Sequence, residues 1–231
     1  MSPSHPQQWT IGPAGLRPDP ALLAQLRELA TTQLADAGGP AAVMGPGIAH
    51  VAGGGAEICG PAVTVWTMPG DILHVLKAVD LVSAGDVLVI DGGGRLDAAV
   101  VGDIVADALR GLGCAGLVVD GAVRDVAGID ATGLATFARG AYPAIGSKSG
   151  PGAINVDVQC GGVTVRPGDL VRADSSGIVV VPCGRLADAV ERGRAVAERE
   201  HEWRQRIAAG TPLPAATGID AVLEQVRPVL P

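Results

Sequence analysis

The sequence is short of aromatic side chains: in 231 residues, Phe137, Tyr142, Trp9, Trp66 and Trp203 are the only ones. Proteins that grip single-stranded nucleic acid stack its bases on aromatic platforms, so the shortage argues against that partner. Basic charge is scarce too. Seventeen Lys and Arg against 24 Asp and Glu leave a net charge of −7, the wrong sign for a protein that neutralises phosphates. Long apolar runs are missing. The one twenty-residue stretch free of charged side chains, 37–56, holds seven glycines with Pro40 and Pro46, a loop composition and not that of a membrane span. The opening MSPSHPQQWTIGPAGLRPDP lacks the apolar centre of an export signal. Cys59, Cys114, Cys160 and Cys183 have neither zinc-ligand nor redox-motif spacing, and read as free thiols of a cytoplasmic protein.

What is present is a chain 48% apolar and 18% charged, enough for one folded domain whose core is Val, Ala, Leu and Ile cut up by 34 glycines. Residues 20–36 carry helical periodicity through Leu22, Leu23, Leu26 and Leu29. Residues 62–67 alternate like a half-buried strand, 71–82 read as a helix, and 87–90 are a β-branched run of the kind found in buried parallel strands. A helix over 100–112 and a strand over 116–120 complete a strand–helix–strand unit, with a parallel pairing expected. Short strands follow at 136–139, 163–165, 170–173 and 178–181, and a long charged helix over 185–209 is stopped by Gly210 and Pro212. The division read from this is an N-terminal extension, 1–19, an α/β domain, 20–184, and a C-terminal helix and tail, 185–231.

Ligands of open α/β sheets sit beyond the carboxyl ends of parallel strands. One such end is followed by Asp91 and Gly92–Gly94, whose glycines are read as letting backbone approach a small anion. The other is followed by Arg124 and Asp125. A helix N-terminus at Gly102, Asp103, Ile104 and Val105 offers amides to a carboxylate. Arg124 offers a planar fork to the same kind of group. Asp125 alone is too little for Ca²⁺ but suits Mg²⁺, which keeps its waters and completes its shell with substrate oxygens. Together these bind a 2-oxo acid and stabilise an enolate. Other readings stay open: Asp103 as a plain helix cap, Arg124–Asp125 as a surface ion pair, Glu191, Glu198, Glu200 and Glu202 as a solvated helix face, and Lys148 as a loop or Schiff-base lysine. The glycines lack dinucleotide-binding spacing.

The segment VLVIDGGGRLDAAVVGDIVADALRGLG followed by GLVVDGAVRD resembles the RraA-like proteins and the 4-hydroxy-4-methyl-2-oxoglutarate aldolases, and the likeness continues weakly from TTQLADA to GVTVRPGDLVRADSSGIVVVP. The resemblance implies a swivelling β/β/α domain, assembled as a homotrimer or hexamer with sites between subunits. It implies Asp125 as the ligand of Mg²⁺ (or Mn²⁺), Arg124 as the group that binds the pyruvyl unit, and Asp103 as holder of the reacting water. Gly102, Ile104 and Val105 would supply backbone contacts, and a C-terminal glutamate of a neighbouring subunit would complete the network. Glu200 is the first match for it, ahead of Glu198 and Glu202. The activity implied is a divalent-metal-dependent pyruvate aldolase acting on a small 4-hydroxy-2-oxo acid, with oxaloacetate decarboxylation as a side reaction. The alternatives are a non-catalytic regulator that binds a ribonuclease, or a lyase of the same scaffold with a different 2-oxo acid. The regulators lose the acid after the arginine and lack the long C-terminal helix; this sequence keeps both.

Overall fold

The computed structural model describes residues 9–226; positions 1–8 of the N-terminal extension and 227–231 of the tail lie outside the described residues. The architecture turns on β4 (Ile58–Thr67), where one eleven-stranded sheet folds over on itself. The first part of β4 pairs antiparallel with β12 (Leu170–Asp174), which pairs with β13 (Gly177–Val181) and through it with β2 (Ala42–Val43). From Ala62 onward β4 changes partners, running parallel to β5 (Val87–Asp91) and antiparallel to β9 (Gly152–Ile154). Pro61, which has no N–H for a ladder, falls at the change-over. Gly60 just before it is needed for space, since a Cβ there would lie 2.1 Å from the Gly85 carbonyl oxygen.

From β5 the sheet continues in parallel through β7 (Gly116–Val123) to β8 (Thr136–Ala141), and then antiparallel to β3 (Ala49–Ala52). Along β5, Val87 and Val89 face the other half of the sheet, and Leu88 and Ile90 face outward. The inner side chains pack with Val118, Phe137, Val171 and Val180, and with the hairpin of β10 (Val158–Cys160) and β11 (Val163–Val165). The outer ones are covered by α3 (Leu73–Ala78), α4 (Asp103–Gly111) and α5 (Val126–Thr132). On the far side, α1 (Pro20–Arg27), α2 (Thr31–Asp36) and α6 (Leu186–Ala208) bury Leu26, Leu34 and Val190 against Leu170, Val179 and Val181. The molecule is thus α/β, with two β layers back to back and helices outside each. Beyond α6 come α7 (Leu213–Thr217) and α8 (Ile219–Gln225). Residues 9–17 lie on the domain: β1 (Trp9–Ile11) pairs with β9, and Arg17 reaches the buried Asp86 at 2.9 Å. Among the described residues no helix is long and apolar enough to cross a membrane.

The predicted strands are present, most of them longer by one to four residues, and β5 and β7 are parallel as expected. Three helices differ. The single helix over 20–36 is two, because Thr31 donates its amide and hydroxyl to Asp174 on β12 (2.8 and 2.6 Å), while Gln33 Oε1 receives the Ala30 amide (3.1 Å). The helix over 71–82 is shortened to α3 and a 3-10 turn at Val79–Leu81. The helix over 100–112 starts at Asp103, because Ala99–Val101 is a strand, β6, parallel to β7. An apolar run of this kind fits either element, and the three extra residues of β7 past Asp120 supply the ladder that decides it.

Candidate active site

β6 and β7 end side by side, and this puts Gly102–Asp103 next to Arg124–Asp125. The Arg124 amide donates to the Val101 carbonyl at 2.9 Å. Its guanidinium Nε stands 3.2 Å from Asp125 Oδ2, with 33% of the Arg124 and 41% of the Asp125 side chain in solvent. A pair that open has room for a ligand. Two glycines make the packing possible. A Cβ on Gly102 would lie 2.6 Å from Asp125 Oδ2 and 3.1 Å from Arg124 Nε; one on Gly128 of α5 would lie 2.7 Å from Asp103 Oδ2.

Asp125 adopts the left-handed conformation (φ 53°, ψ 42°), which is sterically costly for a residue with a Cβ and is tolerated best by Asn and Asp. In this conformation the carboxylate stands against the Cβ position of Gly102, and strained backbone of this kind marks a candidate site. Asp103 is the first residue of α4 and not its cap, which is Gly102; its Oδ1 accepts the Ile104 amide at 2.8 Å. Part of the predicted amide site is therefore held by the protein's own carboxylate.

Gly102, Asp103, Ile104, Val105 and Arg124 line one cleft of about 150 Å³, the space of roughly five waters. The rest of its wall is Ala99–Val101 of β6, Ile72 just before α3 and Leu76 on it, and Ile145 and Lys148 of the loop before β9; of these, sequence reasoning had singled out Lys148 alone. The hint for Lys148 was its rarity, for the chain has only Lys77 besides. Its neighbours in that loop are held by the buried Asp71, which lies 76 positions from Ser147.

The fold does not bring Glu200 to this cleft within one chain. It lies on α6, on the helix layer of the opposite half of the sheet, where it accepts from Gln33 Nε2 (3.0 Å) and Arg204 (3.2 Å). Glu198 and Glu202 are exposed on the same helix. The reading of the glycines at 92–94 is corrected by the structure. The Gly92 and Gly94 amides donate to the Asp120 carbonyl (3.1 and 3.0 Å) and the Gly93 amide to Asp91 Oδ1 (3.1 Å), so they build a turn and cradle no anion.

Among the described residues no three His, Cys, Asp or Glu side chains converge on a metal position. The fit is to a cation held by one carboxylate and otherwise by water and ligand: Asp125 Oδ2 faces space that a Cβ on Gly102 would fill. Mg²⁺ is bound in this way, whereas Ca²⁺ or structural Zn²⁺ is not.

The family model for RraA-like proteins (Aldolase/RraA) matches residues 31–180. The chain belongs to the RraA-like family. A protein of Halalkalibacterium halodurans provisionally named 4-hydroxy-4-methyl-2-oxoglutarate aldolase is 42% identical over 150 residues, 65% of this chain and 71% of that one. Among solved structures, an uncharacterized protein from Pseudomonas syringae pv. tomato shares 32% identity with the RraA-like chain at a TM-score of 0.77, over 87% of this chain and 98% of that one. The RNA-processing inhibitor RraA from Thermus thermophilis shares 33% at 0.63, over 67% and 93%. RraA-like members thus include a regulator as well as a named lyase, and the cleft has to decide between them.

Proposed function

We propose that this protein is a lyase that cleaves a small 4-hydroxy-2-oxo acid, of the type of 4-hydroxy-4-methyl-2-oxoglutarate, to pyruvate and a carbonyl compound. The observation that carries the reading is one small cleft lined together by Arg124, the acid Asp103 and the start of α4, with Asp125 ion-paired to that arginine. A divalent cation, Mg²⁺ or Mn²⁺, held through Asp125 would supply Lewis-acid polarisation of the keto oxygen.

The chain's own groups do the rest. The amides at the start of α4, at the positive end of the helix dipole, receive the C1 carboxylate, displacing the Asp103 oxygen from Ile104. Asp103, so released, draws the proton of the C4 hydroxyl through a water. That oxygen becomes a carbonyl as the C3–C4 bond breaks, and the bond's electron pair passes to C3 of the pyruvate enolate. Arg124 donates to the enolate oxygen, whose charge grows as the bond breaks. A proton delivered to C3 completes pyruvate. Oxaloacetate loses CO₂ through the same enolate, so Arg124 serves both reactions. Lys148 adds a second cation to the cleft. Glu200 takes part only from a neighbouring subunit, which ties the reading to a homotrimer or hexamer.

Pyruvate release from 4-hydroxy-4-methyl-2-oxoglutarate and from oxaloacetate, with Mg²⁺ and with chelator, tests this. Mg²⁺-dependent release from either supports the reading. No release from these or other 4-hydroxy-2-oxo acids overturns it. The likeness to the Thermus inhibitor favours a second reading, a protein-binding regulator. That reading predicts no turnover, and inhibition of a ribonuclease that survives Asp125→Asn.

A further inference from the structure

Lys77 and Lys148 are the two lysines of the chain. Lys77 donates to Asp80 on the exposed side of α3 (2.8 Å). Lys148 stands in the cleft wall, and the residues flanking it are tied to one carboxylate. Asp71 is fully buried. Its Oδ2 accepts from the Ser147 hydroxyl, the Ser149 amide (2.8 Å) and the Gly150 amide (2.7 Å), and its Oδ1 accepts the Leu73 amide (2.9 Å). The Ile72 amide donates to the Ser147 carbonyl at 2.9 Å. A Cβ on Gly146 would fall 1.4 Å from the Gly70 carbonyl oxygen, so the two segments cross with no room for a side chain. Burial pushes the Asp71 carboxyl up, but the hydrogen bonds from Ser147, Leu73, Gly150 and Ser149 outweigh it and hold it below the usual carboxylate range. A buried ionised carboxylate is costly unless its acceptor sites are filled, and here neutral donors fill them.

We infer that Asp71 is a positioning residue: it fixes the 147–150 loop so that Lys148 presents its ammonium to an anionic group of the acid bound in the cleft. The inference rests on the lyase reading for the ligand and on the geometry for the clamp. Asparagine at 71 would turn an NH₂ toward donors of the loop and release it, leaving α3 in place.

The test uses the full-length protein with its lysines reductively ¹³C-dimethylated, which keeps their charge and yields two lysine signals besides the N-terminal amine. Oxalate, a non-reacting dianion, is titrated in with Mg²⁺. The Lys148 signal is expected to move and the Lys77 signal to stay. Asp71→Asn is expected to raise the oxalate Kd roughly tenfold and to abolish the Lys148 shift. Lys148→Met is expected to raise Kd equally, and Asp71→Asn with Lys148→Met no further. Additive losses would make Asp71 a brace of the fold and overturn the inference. So would oxalate binding that Lys148→Met leaves unchanged, with the lyase reading intact if pyruvate is released. Oxalate that does not bind at all, together with absent pyruvate release, overturns both. Should Asp71→Asn not fold, Ser147→Ala, which removes one donor, is expected to raise Kd about threefold; no rise overturns the inference.

Discussion

Two neighbouring parallel strands run out beside aspartates, β5 at Asp91 and β7 just before Arg124 and Asp125, and the structure gives the two ends opposite fates. At the end of β5, Asp91 accepts the amides of Gly93 and Gln159, at 3.1 Å each. Beside it on β7, Asp120 is ion-paired with Arg139 and receives the Gly161 amide at 2.6 Å, with only 9% of its side chain exposed. Every group there is satisfied by the protein. Just past the end of β7, Arg124 lines a cleft and is ion-paired with Asp125, and among the described residues neither has another ionic partner. The lesson is that charge at a strand end marks a site only where the fold leaves it unsatisfied. β6 makes the difference: it lengthens the ladder on β7 and carries the chain past the closed end before releasing it at Gly102.

The largest effect is expected from breaking the open end. Asp125→Asn keeps a residue suited to the left-handed conformation, so the fold should hold while pyruvate release falls roughly 10²–10³-fold. Asp125→Ala should lose as much activity and, in addition, about 1 kcal/mol of stability in denaturant melts. Equal stability of the two variants would show that the backbone there is unstrained. Gly102→Ala comes next. Its φ of −133° is open to alanine, but the new methyl must displace Asp125 Oδ2 or Arg124 Nε. We expect activity to fall about 10²-fold with little change in melting temperature. Unchanged activity would mean that the Arg124–Asp125 geometry is not the working one.

This contrast was half legible in the sequence. Asp103, Arg124 and Asp125 could be read because glycines and β-branched runs bracket them locally, so that strand–turn–helix grammar alone places them. The closed end could not be read, because its partners come from afar: Asp120 is bonded to Arg139 and Gly161, 19 and 41 positions away. Lys148 was legible only as a loop or Schiff-base lysine for the same reason, its loop being anchored on Asp71. β1, β3, β9 and β10 have three or four residues each, too few for a period to show, and they exist because a neighbouring strand offers a ladder. Glu200 marks a different boundary: on the proposed reading it would serve a neighbouring subunit's site, whereas one chain's geometry shows only its bonds to Gln33 and Arg204.

Breaking the closed end should cost stability and spare the chemistry. Asp120→Asn leaves Arg139 without its carboxylate partner and the Gly161 amide with a weaker acceptor. Because Arg139 is 31% exposed, water recovers part of the loss, and we expect about 2–3 kcal/mol and a melting temperature roughly 5–10 °C lower. Pyruvate release below the melting range should stay within about twofold. A loss of activity as deep as that of Asp125→Asn would erase the distinction between the two ends.

The mildest probe is a thiol reagent. Cys160 is fully buried beside the closed end, and burial, with the charges of Asp120 and Asp91 adding to it, pushes its thiol far up, so it presents no thiolate at neutral pH. Cys59 and Cys114 are buried as well, and burial raises both. Cys183, partly exposed after β13, should therefore be the one thiol labelled quickly in the native protein. In Asp120→Asn the β10–β11 hairpin loses the anchor at Gly161, and Cys160 should become the next to react, well before global unfolding. Labelling of Cys160 at the wild-type rate in that variant would mean that the hairpin is held by its apolar contacts with Val89 and Val171 and that the ion pair closes nothing.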